Sequence, residues 1–100
     1  MQDSEQQKLK TVLNEFVVEC RKAVGEKLSD VRLFGSYARG DHNEDSDIDV
    51  MVILDMGDAE VRRSRHEICR IAAMLELKYN VTISPVLYSE DEYNARKSFG

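Results

Sequence analysis

Several features that would narrow the function are scarce here. There are two cysteines, Cys20 and Cys69. They stand far apart, with no zinc-ligand spacing and no disulfide framework. Each lies in an apolar helical pattern, so both read as buried, reduced thiols. No apolar run approaches membrane-spanning length, and no signal-peptide pattern opens the chain. A cytoplasmic protein is the default expectation. Positive charge is also in deficit: 14 Lys and Arg face 19 Asp and Glu, for a net charge of -5. That balance argues against a module that grips duplex DNA non-specifically. There is no internal repeat, linker or low-complexity segment. The single proline, Pro85, sits in a strand-like run. Proline cannot donate to a ladder, so it marks an edge strand or a bulge.

What remains is a chain of 100 residues, 42% hydrophobic and 33% charged. That composition fits a globular class rather than disorder. The length predicts one domain over 1–100, with a small core and little space for a second substrate pocket. Residues 3–28 carry Leu9, Val12, Leu13, Phe16, Val17, Cys20 and Val24 at helical spacing. Residues 31–34 read as a short strand, and 37–39 as a turn of helix. Residues 41–46 read as a polar loop and 47–54 as a second strand. A long helix follows over 59–79, with Asp58 as its cap. Val61, Ile68, Ala72, Leu75 and Tyr79 share its face, and Ile71 and Met74 widen it. Residues 81–88 read as a third strand. Ser89 caps a last helix with an acidic first turn. The order α-β-α-β-α-β-α predicts an α+β fold, a small mixed sheet flanked by helices.

The chemistry concentrates in GSYARGDHNEDSDIDVMV, residues 35–52. Asp41, Glu44, Asp45, Asp47 and Asp49 crowd together just before a run of strand-like apolar residues. Ionised carboxylates resist burial and repel each other, so this density needs a counter-charge. Side chains alternate along a strand, so Ile48, Val50 and Val52 point one way and Asp47, Asp49 and Met51 the other. The two acids then stand about 7 Å apart at their α-carbons, at two strand rises. Two such carboxylates suit magnesium, which takes oxygen ligands and completes its shell with water and substrate phosphates. Upstream, Gly35-Ser36 breaks a strand and opens a short helix. Glycine lets backbone approach a ligand closely, and helix-start N–H groups attract anions. A phosphate cradle beside a metal-binding strand fits phosphoryl-type transfer from a nucleoside triphosphate.

Gly35-Ser36-Tyr37-Ala38-Arg39-Gly40, followed by Ser46-Asp47-Ile48-Asp49, resembles the signature of the nucleotidyltransferases of the DNA polymerase β superfamily. More closely, it resembles their minimal bacterial and archaeal domains. The resemblance implies transfer of a nucleotidyl group, commonly AMP from ATP with Mg2+ at a two-metal site, onto a hydroxyl of a protein or RNA. It places Gly35 and Ser36 on the triphosphate, and Asp47 and Asp49 on metal as the catalytic pair. It also implies a HEPN-type partner protein, in a toxin–antitoxin pair whose transferase modifies the partner. Homo-oligomers are compatible with it.

Active members of that superfamily add a third carboxylate from a later strand. Asn80-Val81-Thr82-Ile83-Ser84-Pro85-Val86 has none, and Thr82 or Ser84 stands in its place. Three readings follow: two acids suffice, another chain supplies one, or nucleotide binds without turnover. The last gives an alternative function, a catalytically weak module that neutralises a partner by contact. An EF-hand over 41–52 fails because Ser46 replaces the glycine and Val52 the glutamate. Arg39 is expected to brace a nearby acid. His42, His66 and the arginines of the second long helix are expected to face solvent.

Overall fold

The structure, a computed structural model, describes residues 2–43 and 45–99. Glu44, one of the five clustered acids, lies outside the described residues. Helix α1 spans Gln2–Val24 and passes through a 3-10 turn, Gly25–Lys27, into strand β1, Leu28–Phe34. Helix α2, Gly35–Arg39, and a loop lead to β2, Ile48–Leu54. Helix α3, Asp58–Tyr79, crosses to β3, Ile83–Ser89, and α4, Glu90–Phe99, follows directly. The fold is α+β, as the element order predicts.

The sheet runs in the order β1-β2-β3. β1 pairs antiparallel with β2, and β3 pairs parallel with it. A parallel neighbour needs a long crossover, which α3 supplies. β3 is an edge strand, which accommodates Pro85. Ile48 N–H donates to the Thr82 carbonyl at 2.7 Å. Backbone groups alternate in direction along a strand, so Ser84 also faces β2 and Pro85 turns its nitrogen to the free edge.

One face of the sheet is covered. Ile48, Val50, Val52 and Leu54 from β2 meet Val12, Phe16 and Cys20 from α1, and Val61, Ile68, Ile71, Ala72 and Leu75 from α3. Burial pushes the Cys20 thiol up to about 12, so it packs as a small apolar group. Cys69 is exposed, against expectation. It follows Ile68 by one residue, a rotation of about 100° on a helix, which carries it off the inward stripe. Met74 is likewise exposed.

Two buttresses fix the helices. Tyr79 donates to Glu15 at 2.6 Å, and Lys78 bonds the same carboxylate at 2.9 Å. The Glu76 carboxylate accepts the Ile83 N–H at 2.8 Å, tying the end of α3 to the start of β3. Helix α3 begins after Gly57 with no side-chain cap, so Asp58 is its first residue rather than its cap. Ser89 Oγ does cap α4, accepting the Glu92 N–H at 3.0 Å.

Candidate active site

The other face of the sheet is where the acids stand. Ladder register puts Phe34, Asp49 and Ser84 in one row and Arg32, Met51 and Val86 in the next. Helix α4 covers the far end of this face. Tyr93 lies 5.7 Å from the Arg32 guanidinium, and Arg96 lies over the Tyr88 ring at 4.8 Å. The Asp49 end stays open. Asp47 is exposed and Asp49 half-buried, while their neighbours Ile48 and Val50 are buried. The alternation expected of β2 is therefore present.

Asp49 is packed against the Gly35 turn. A Cβ placed on Gly35 would lie 2.2 Å from Asp49 Oδ2, far inside contact distance. Gly35 also adopts φ +72°, which side chains disfavour. Both facts require glycine, and both bring the strand-to-helix turn onto the acid. No side chain caps the first turn of α2, so its leading N–H groups keep their donors. Ser36 is the second residue of the same helix.

Among the described residues, no ion pair engages Asp47 or Asp49. Arg39 pairs instead with Asp41 at 3.3 Å, the bracing expected of it. Asn43 and Ser46 lock the loop before β2: Asn43 N–H donates to Ser46 Oγ at 3.0 Å, and Ser46 N–H to the Asn43 carbonyl at 3.1 Å. The negative charge is thus held uncompensated at the end of a well-packed strand. Among the described residues Asp47 accepts one hydrogen bond, from Ser84 Oγ at 3.3 Å.

The sequence left Thr82 and Ser84 as equal candidates for the third-acid position. The structure separates them. Ser84 lies in register with Asp49 and bonds Asp47, whereas Thr82 lines a different cleft. That cleft, about 670 Å³, also meets Lys8, Tyr37, His42, Asn43 and Asn80. It contains none of Gly35, Ser36, Asp47 and Asp49. His42 is not simply solvated there. Its ring stacks on Tyr37 with centroids 4.1 Å apart, and its Nδ1 is buried without a hydrogen-bond partner among the described residues. No sequence pattern signals that stack.

The donor set is all oxygen: the Asp49 carboxylate against Gly35, and the Asp47 carboxylate bonded to Ser84, the cross-strand partner of Asp49. This fits a hard divalent ion such as Mg2+, which needs one or two carboxylates and takes the rest from phosphate and water. No group of three or more His, Cys, Asp or Glu converges among the described residues.

A mixed sheet of this order, with one acid of an Asp-x-Asp pair packed against a Gly-Ser turn, has the arrangement of a nucleotidyltransferase. The family model for the nucleotidyltransferase domain matches residues 13–99, and the chain belongs to that family. Its relatives include three proteins of Methanocaldococcus jannaschii, each named "Putative protein adenylyltransferase". One is 37% identical over 79 residues, covering 79% of this chain and 78% of its own. A second is 39% identical over 80 residues, covering 79% of this chain and 54% of its own. A third is 33% identical over 84 residues, covering 84% and 77%. No solved structure matches. Membership implies a nucleoside triphosphate substrate and, in general, a divalent metal. No helix among the described residues is long and apolar enough to cross a membrane.

Proposed function

We propose that the chain transfers AMP from ATP to a hydroxyl on a protein partner. The observation that carries this reading is the contact of Gly35 with Asp49. It joins the Gly-Ser turn to one acid of the pair, so a triphosphate at the turn would meet metal held by Asp49 together with Asp47. The names of the relatives favour a protein acceptor over RNA. We take that partner to be a HEPN-type protein, in the toxin–antitoxin arrangement that the motif resemblance implies.

In this reading the Gly35 and Ser36 backbone N–H groups and the Ser36 hydroxyl orient the phosphates. Asp49, wedged under Gly35, is fixed in place and suits metal holding. Asp47 is more exposed and faces the acceptor side. The acceptor oxygen bonds the α-phosphorus as the α–β bridging bond breaks, and pyrophosphate departs. The hydroxyl proton passes to Asp47. A bound divalent ion supplies charge neutralisation at the phosphates.

Ser84 favours a second reading. With a hydroxyl where a third carboxylate would stand, the chain is a weak transferase that neutralises its partner by contact. One experiment separates the two. Purified chain is incubated with ATP labelled in the α-phosphate, Mg2+ and the protein encoded by the neighbouring gene. Label on the partner, lost in the Asp47→Ala/Asp49→Ala variant, supports transfer. A tight complex with no label supports neutralisation by contact and refutes the transferase.

A further inference from the structure

We propose that Ser84 sets the metal stoichiometry of the site, limiting it to one tightly held divalent ion per bound nucleotide. The inference rests on the nucleotidyltransferase reading above and goes beyond it.

Three observations carry it. Ser84 is the cross-strand partner of Asp49, so their α-carbons stand about 4.8 Å apart at the usual strand spacing. Its hydroxyl reaches Asp47 Oδ2 at 3.3 Å. It is therefore the β3 side chain that is hydrogen-bonded to the acid pair among the described residues. Thr82 lines the separate cleft, and Val86 lies a row further on, beside Met51. β3 thus brings no negative charge to the pair.

The consequence is a matter of charge and lone pairs. Two carboxylates and the phosphates satisfy one magnesium-type ion. A second ion beside it would share the same two acids and face the repulsion of the first. It would need an anion of its own, and Ser84 offers a neutral hydroxyl. That hydroxyl also donates to Asp47, occupying an acceptor site that an ion could use. An aspartate at 84 would reverse both effects. Without metal it would crowd Asp47 and Asp49; with metal it would complete a second site.

The test counts ions rather than turnover. The full chain, in excess over α,β-methylene-ATP so that all nucleotide is bound, is titrated with Mn2+ and free ion is followed by EPR. Wild type is expected to hold one tight ion per nucleotide. Ser84→Asp is expected to hold two, the second at least about tenfold tighter than any second ion in wild type. Ser84→Asn, close in shape but neutral, and Thr82→Asp, on the other cleft, are expected to stay at one. Melting temperature gives a second readout, since an ion that binds only the folded chain stabilises it by mass action. Ser84→Asp is expected to melt below wild type in EDTA and to gain more from Mn2+. Two tight ions in wild type overturn the inference and leave the transferase reading standing. So does a single ion in Ser84→Asp, or a second ion gained by Thr82→Asp instead. If wild type binds no Mn2+-nucleotide at all, the inference and the reading fall together.

Discussion

The two faces of β2 are built from alternate residues of one seven-residue strand, yet they obey opposite rules. On the covered face Val50 and Val52 are fully buried, and shape and volume govern what can stand there. On the open face Asp49 and, just before the strand, Asp47 keep charge that no neighbouring cation among the described residues neutralises. The lesson is one of support. A carboxylate pair can be held in a fixed place with little local help because the residues between them are locked into a core. Position comes from one face, and reactivity from the other.

Substitutions can break this division. The largest effect is expected from Asp47→Ala/Asp49→Ala, and on function alone. Label transfer should fall by more than the roughly 10–100-fold typical of losing an outer-shell partner of a metal. Urea-measured stability should stay within about 0.5 kcal/mol of wild type, as for surface changes. A large loss of stability would mean that the open face also holds the fold.

Phe16→Ala tests the covered face. It removes a fully buried ring and should cost about 3–5 kcal/mol in urea unfolding. At temperatures where the variant remains folded, Mg-ATP affinity should be unchanged. Gly35→Ala lies where the two faces meet. The added methyl strikes the Asp49 carboxylate and forces a side chain onto a positive φ. A cost of about 1–3 kcal/mol is expected, together with weakened Mg-ATP binding by calorimetry. Intact binding would show that Asp49 need not sit where the turn holds it.

Tyr79→Phe should have the smallest effect, since it removes one hydroxyl and keeps the ring that packs against the core. The Tyr79 hydroxyl, and then Lys78, hold the Glu15 carboxyl below its ordinary 4.5. A depressed carboxyl adds stability above its unfolded value and loses it as pH falls through its folded one. The melting temperature of Tyr79→Phe should therefore lie below wild type at neutral pH, with the gap narrowing as pH drops below 4.5. A gap that persists unchanged to pH 3 would assign it to packing instead.

How much of this was legible in the sequence follows from which signals are local. The period of two in Asp47-Ile48-Asp49-Val50 showed which side chains share a face. The Gly-Ser turn and the helix stripe through Val12, Phe16 and Cys20 were equally plain. Residues 28–30 carry no strand signal of their own, yet β1 begins at Leu28. Leu-Ser-Asp has weak strand preference, and the segment is strand because Leu28 pairs with Leu54 across an irregular ladder. The choice between Thr82 and Ser84 also needed register, a property of two chain segments together. Cys69 and Met74 are exposed because apolar residues fill more of α3 than the narrow stripe its neighbours cover. The Tyr37–His42 stack depends on a loop path that no composition encodes.

Pro85 has one more effect. An unpaired sheet margin invites a passing extended peptide to continue the ladder. Here the middle of that margin offers a ring carbon where an amide hydrogen would stand. A visiting backbone would lose a bond at its centre and meet the bulk of the pyrrolidine. Strand addition at this margin is discouraged by a single residue, whereas β1, the strand at the opposite margin, carries no proline.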